Sequence, residues 1–92
     1  MDNSGAVRVW LVERTYSDDE QNLIILTYAT TDGEQYYRKE RALTAVDDQR
    51  NTTAAVRVDP RNLGAVQDEE ERAAYANEAQ RMADRHDPDD EI

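Results

Sequence analysis

The sequence contains no cysteine and only one lysine, and no hydrophobic run approaches the length of a membrane span. Without cysteine the chain has no disulfide framework, no thiolate nucleophile and no sulfur-ligated metal. A transmembrane helix needs roughly 20 consecutive apolar residues. Residues 1–5 have neither the basic nor the apolar region of a signal peptide. We therefore expect a cytoplasmic protein with no membrane association.

Residues that carry chemistry are also few and isolated. Single, widely separated glycines exclude a glycine-rich phosphate loop. Ser4 and Ser17, the only serines, lie in segments predicted to be mobile, so neither is expected to form a triad with the single histidine, His86. His86 is instead expected to favour a helix C-terminus as a cation. The short acidic runs lack the alternating ligands of a calcium loop. We predict no catalytic residue, no cofactor, no defined metal site and no enzymatic activity.

Acidic residues are in excess. The 92 residues carry 21 aspartates and glutamates against 11 lysines and arginines, a net charge of −10. The acids are predicted to lie in loops, a helix and a tail alike, whereas imitation of DNA or attraction of a basic partner would order them along one face. This distribution favours adaptation to molar salt, in which carboxylates hold water and a diffuse cation shell. At such salt the Debye length is about 3 Å, so long-range steering by this charge is weak.

The part of the chain before Pro60 is predicted to form β-strands. Apolar and polar residues alternate in the first segment, and the second is rich in β-branched and aromatic residues. Asp32-Gly33 predicts a two-residue type I′ turn. The predicted strands are Ala6–Arg14, Leu23–Thr31, Glu34 to about Arg41 or Leu43, and Thr53–Val58, with polar connections at Ser17–Glu20 and Asp47–Asn51.

The C-terminal part changes to a helical period. Asp68 is a predicted N-cap, and apolar residues recur at helical spacing from Tyr75 to Met82. The predicted helix ends at about Arg85 or His86. Pro88 prevents continuation, so Asp87–Ile92 is predicted to be a solvated tail. The sequence thus predicts one α+β domain over residues 1–92, with flexible tails at 1–5 and 87–92. A β-meander of three or four antiparallel strands carries a C-terminal helix on one face.

The predicted turns also suggest a register. A first turn centred on Asp19 gives the pairs Trp10–Tyr28, Val12–Leu26 and Arg14–Ile24, and the Asp32-Gly33 turn gives Tyr28–Tyr37, Leu26–Lys39 and Ile24–Arg41. One sheet face then carries a candidate partner or dimer surface, which we call the Trp10 face. Its members are Arg8, Trp10, Val12, Arg14, Leu26, Tyr28, Tyr37, Lys39 and Arg41.

Two functions are compatible with this surface. Both sheet faces would be apolar, yet one helix can cover only one of them. This favours a homodimer, that is, a non-enzymatic interaction or accessory protein, and leaves another protein partner open. Aromatic rings among arginines on a sheet are alternatively typical of single-strand nucleic-acid binders, although the net charge of −10 opposes phosphate binding.

The C-terminal pattern resembles small uncharacterised proteins of halophilic archaea. The segments that carry the resemblance are Asn62–Val66, Tyr75–Ala79 and Arg81–Asp90. It implies an archaeal, salt-adapted cytoplasmic protein. It assigns no activity and no functional residue.

Overall fold

The predicted α+β class is confirmed by the computed structural model, which describes residues 5–17, 23–42 and 52–92. One antiparallel sheet has the strand order β4-β1-β2-β3-β5, and one helix packs on it. The elements are β1 (Val7–Ser17), β2 (Leu23–Ala29), β3 (Gln35–Ala42), β4 (Ala55–Val58), a 3-10 turn (Pro60–Asn62), β5 (Gly64–Ala65) and α1 (Glu69–Arg85). The predicted turn at Asp19 and loop at Asp47–Asn51 lie outside the described residues.

The sheet is only in part a meander. β1, β2 and β3 follow one another as predicted, but β4 pairs with β1 at one edge. The two-residue β5, which was not predicted, pairs with Gln35 and Tyr36 at the opposite edge. The chain between β4 and β5 therefore passes from one edge of the sheet to the other, and Leu63 on this connection packs against the core.

The β2–β3 turn differs in type from the prediction but keeps its register. The Gly33 N–H donates to the Thr30 carbonyl oxygen (2.9 Å), and Gly33 has a φ of 73°. The turn thus spans Thr30–Gly33 and is not the predicted two-residue type I′ turn. Asp32 stabilises it by accepting from Thr30 Oγ1 (2.6 Å) and the Glu34 N–H (2.9 Å). The predicted pairs Tyr28–Tyr37, Leu26–Lys39 and Ile24–Arg41 are confirmed.

The predicted register of the first hairpin is wrong. The observed pairs are Trp10–Ala29, Leu11–Tyr28, Arg14–Leu26 and Tyr16–Ile24, with an irregularity between Leu11 and Glu13. Opposite residues of a ladder share a face, so Trp10 and Tyr28 lie on opposite faces. The extra residue at Val12 is a β-bulge, which returns Arg14 to the side of Leu26.

The helix covers the Trp10 side of the sheet. The Asp68 carboxylate accepts from the Glu71 N–H (2.9 Å), which confirms the predicted N-cap, and His86 is the C-cap. The buried helix residues are Tyr75, Ala79 and Met82. Tyr75 packs with Ala29, the ladder partner of Trp10. We call this side of the sheet the helix face and the opposite side the Tyr28 face.

The C-terminal segment is not the solvated tail that was predicted. The Ala54 N–H donates to the Asp90 carbonyl oxygen (2.8 Å), the Ala55 N–H to that of Pro88 (3.1 Å), and the Ile92 N–H to that of Thr52 (2.8 Å). These main-chain bonds need no apolar side chain, which is why composition gave no sign of them. The segment therefore pairs with residues 52–55 as an extra edge.

Candidate functional site

The structure divides the predicted Trp10 face between two surfaces. Trp10 lies on the helix face and is only 8% exposed, and Arg8 shares that face. Val12 lies at the bulge and packs against both core clusters. The register places the other six predicted residues together on the Tyr28 face: Arg14, Leu26, Tyr28, Tyr37, Lys39 and Arg41. The nine residues therefore do not form one surface.

Tyr28 is part of the core. It is 2% exposed, and its ring centroid lies 6.0 Å from that of Tyr37 in a tilted arrangement. Burial raises the pKa of the Tyr28 hydroxyl, against smaller opposing effects of the positive charges on Arg41 and Arg14. Tyr28 and Trp10 thus stabilise the fold and offer no exposed ring on which a base could stack.

A group of cations remains on the Tyr28 face. Arg14 and Lys39 flank Leu26 in adjacent strands, and Arg41 lies one row further along β3. Arg41 Nη2 donates to Thr52 Oγ1 (3.3 Å). Within the described ranges neither Arg14 nor Lys39 has a carboxylate within ion-pair distance. Three of the chain's 11 bases therefore meet on one face.

A cleft of about 340 Å³ lies between β3, β5 and the N-terminus of α1. Its lining residues are Tyr36, Arg38, Ala65, Val66, Gln67, Asp68, Glu71 and Tyr75. Sequence reasoning missed it because β5 was not predicted. Tyr36 and Arg38 alternate on one side of β3, which was the only local signal.

The charged groups of the cleft are engaged in the fold. The Arg38 guanidinium carbon lies 5.1 Å from the Tyr36 ring centroid, and Arg38 Nε donates to Thr27 Oγ1 (3.4 Å). The Tyr75 hydroxyl donates to Glu71 Oε2 (3.3 Å), and burial, with the Glu71 charge, raises the pKa of Tyr75. Since Asp68 caps the helix, the cleft presents no pair of free carboxylates suited to acid–base catalysis.

Within the described residues, the outer edge of β3 has no partner strand over most of its length. β5 pairs only with Gln35 and Tyr36, and nothing in the described parts of the chain pairs with the outer edge from Tyr37 to Ala42. The Gln35 carbonyl accepts from Thr30 on the β2 side, whereas the Glu34 carbonyl accepts from Val66 on the outer side. Even-numbered residues of β3 thus direct their backbone N–H and C=O groups outward.

Metal-binding clusters and membrane-spanning helices are both absent from residues 5–17, 23–42 and 52–92. There, no three histidine, aspartate or glutamate side chains are grouped closely enough to hold a metal ion. Over the same residues, no helix has the length and apolar character to cross a bilayer. His86 Nδ1 lies 3.6 Å from Asp90 Oδ2, at the end of α1.

In the part of the chain that the structure describes, the fold and these surfaces define a small α+β domain with an antiparallel sheet, one covering helix and an unpaired edge on β3. The profile of a family of unknown function, DUF7967, matches residues 3–92, and the chain belongs to this family. Searches of curated proteins and of solved structures found no match to the chain.

Proposed function

We propose that the chain is a non-enzymatic interaction protein that acts as a homodimer in the cytoplasm of a halophilic archaeon. The observation that carries the proposal is that nothing in the described residues pairs with the outer edge of β3 from Tyr37 to Ala42. An unpaired strand edge presents a row of backbone donors and acceptors that a strand of another chain can satisfy. The helix packs on β1 and β2, so it does not occupy this edge.

The acidic composition supports the environmental part of the proposal. The net charge is −10, and the first turn of α1 alone exposes Glu69, Glu70 and Glu71. Such carboxylates repel one another at low ionic strength and hold cations at high ionic strength. We expect the protein to unfold on transfer from molar potassium chloride to dilute buffer, as followed by far-UV circular dichroism. Full stability in dilute buffer would contradict the halophilic assignment.

Sedimentation equilibrium in molar potassium chloride tests the homodimer. The chain has a mass of 10.6 kDa, and we expect twice that mass at high protein concentration with reversible dissociation on dilution. A single species with the mass of one chain, up to the highest concentration the protein tolerates, would overturn the proposal.

Nucleic-acid binding remains the second candidate because Arg14, Lys39 and Arg41 are grouped on the Tyr28 face. The candidate relies on these cations, since Trp10 and Tyr28 are buried. Single-stranded oligonucleotides are titrated in the lowest salt that preserves the fold. Binding should be lost when all three cations are changed to glutamine and retained in Arg57→Gln, an exposed control on β4. Absent binding, or equal binding by both variants, would exclude this candidate.

A further inference from the structure

We propose that the second copy pairs β3 with β3 in antiparallel orientation about a two-fold axis at Lys39. Arg38 of each copy then lies opposite the partner's Glu40. This inference rests on the homodimer proposed above and assigns its interface and register.

The backbone limits the possible registers. In a regular antiparallel ladder an outward-directed residue lies opposite another outward-directed residue, and on β3 these are the even-numbered ones. A two-fold axis can then pass only through a residue of β3. Because β5 occupies the outer edge at Tyr36, the axis must pass through Arg38, Lys39 or Glu40 for several residues to pair.

Charge selects among these three registers. An axis at Arg38 places the two Arg38 side chains opposite each other. An axis at Glu40 places the two Glu40 carboxylates opposite each other and also sets Lys39 opposite the partner's Arg41. Only the axis at Lys39 places opposite charges together, with two Arg38–Glu40 pairs on the helix face. Like charges directly opposite each other destabilise a ladder, whereas opposite charges stabilise it.

The Lys39 register has one unfavourable contact. The Lys39 side chains of the two copies face each other on the Tyr28 face, where they form a like-charge pair. Lysine side chains are long and flexible, so the two ammonium groups can move further apart than the Debye length of molar salt, about 3 Å, whereas Arg38 and Glu40 attract each other and stay in contact. Tyr37 lies opposite the partner's Arg41 in this register, which suits a cation–π contact. The favourable pairs therefore outnumber the single repulsive pair.

The side chains that this interface needs are accessible. Arg38 and Glu40 are both exposed, and α1 packs on β1 and β2. Arg38 uses only Nε in its hydrogen bond to Thr27, so both Nη groups can reach a carboxylate. Among the described residues no carboxylate is within ion-pair distance of Arg38, and no cation is within that distance of Glu40.

The outer edge of β1 beyond Leu11 also has no ladder partner among the described residues, but it lacks this self-complementarity. Its acid and base, Glu13 and Arg14, are adjacent in sequence. Adjacent residues direct their backbone groups to opposite sides of the strand, so no regular antiparallel register places Glu13 opposite the partner's Arg14. We therefore assign the interface to β3.

Charge reversal provides the test. Arg38→Glu and Glu40→Arg are prepared as single variants and as the double variant, with Arg57→Glu on β4 as the matched control. Sedimentation equilibrium is run in the lowest salt at which circular dichroism shows the native fold. Each single variant converts two attractive pairs into two repulsive ones and should raise the dimer dissociation constant about tenfold or more. The double variant and the control should dimerise like the original chain.

The two single variants should also associate with each other. In their mixture, the glutamate introduced at position 38 of one chain faces the arginine introduced at position 40 of the other, and the native Glu40 faces the native Arg38. An equimolar mixture should therefore form a heterodimer although neither variant dimerises well alone. Lys39→Thr removes the like-charge pair and should lower the dissociation constant.

The outcomes separate this inference from the homodimer itself. If the original chain is a monomer, both fall. If it dimerises and the single variants dimerise equally well, the homodimer stands and the β3 register is wrong. Weakened single variants whose mixture does not recover association would also overturn the register. The circular dichroism spectrum of each variant is the control, since a native spectrum excludes misfolding as the cause of weaker association.

Discussion

Gly33 lies so close to Arg72 that a Cβ atom on Gly33 would overlap the Arg72 carbonyl oxygen and approach the Ala76 backbone nitrogen to 2.9 Å. This contact joins the β2–β3 turn to the first half of α1. Gln80 strengthens the same junction, since its Nε2 donates to the Thr31 carbonyl oxygen (2.8 Å). The turn thus sets the register of β3 and also positions the helix.

Gly33→Ala should destabilise the domain by about 2 kcal/mol or more, because the added methyl group meets helix backbone and the φ of 73° disfavours a side chain. Urea unfolding in molar potassium chloride measures the effect. Gly5→Ala is the matched control, since its Cβ would make only ordinary contacts with Pro60 at 3.8 Å. Equal stability of the two variants would contradict this description of the junction.

Trp10→Ala should cost about 3–5 kcal/mol, as expected for a large side chain removed from a core. Trp10 is 8% exposed and belongs to the main core cluster. Tyr16→Ala is the control, because Tyr16 is 64% exposed and its truncation should change the free energy of unfolding by less than about 0.5 kcal/mol. A small effect of Trp10→Ala would contradict the burial of this residue in the core.

The register of the β2–β3 hairpin could be predicted from the sequence and that of the β1–β2 hairpin could not, for a physical reason. The Asp32-Gly33 pair limits where the chain can reverse, so the β2–β3 register followed although the turn type was wrong. In β1 the residues from Val9 to Val12 are all apolar and face both layers. Because apolar and polar residues do not alternate in this run, the pattern does not indicate where an extra residue is inserted. The bulge after Leu11, which places Trp10 on the helix face, could therefore not be predicted.

The order of the strands in the sheet and the pairing of the C-terminal segment with residues 52–55 could not be predicted from the sequence for a different reason. The helix boundaries followed from local signals, namely the Asp68 N-cap and the apolar period. The pairing of β4 with β1 joins segments about fifty residues apart, and no local pattern specifies it. The candidate surface inherits this limit. The register of its β2–β3 half is confirmed, whereas Arg8 and Trp10 of its β1 half lie on the other face of the sheet.

Thr30→Val should raise the pKa of Asp32. The hydrogen bond from Thr30 Oγ1 is the main reason that this pKa lies below its ordinary value, with the Glu34 N–H second. A carboxylate NMR titration measures the change, and Thr31→Val, an exposed neighbour, is the control. An unchanged Asp32 pKa in Thr30→Val would contradict the assigned cause.

The same hydrogen bonds make stability depend on pH with a definite sign. The pKa of Asp32 is lower in the folded state than in the unfolded state, so its contribution is complete above the unfolded value of 3.8. It is lost as the pH falls through the folded value. The difference in unfolding free energy between the original chain and Asp32→Asn should therefore shrink as the pH falls from 3.8 through the folded pKa of Asp32. A difference that does not change with pH would exclude this linkage.

Deleting residues 88–92 should destabilise the domain by about 2–4 kcal/mol. The deletion removes the acceptors of the Ala54 and Ala55 N–H groups, and these two residues are 0% and 6% exposed. A buried donor without a partner costs about 1–3 kcal/mol. Urea unfolding measures the loss, and amide hydrogen exchange at Ala54 locates it. Asp89→Ala, which changes an exposed side chain and leaves the backbone in place, should have little effect. A truncated chain of unchanged stability, with Ala54 still protected, would show that these residues are a solvated tail after all.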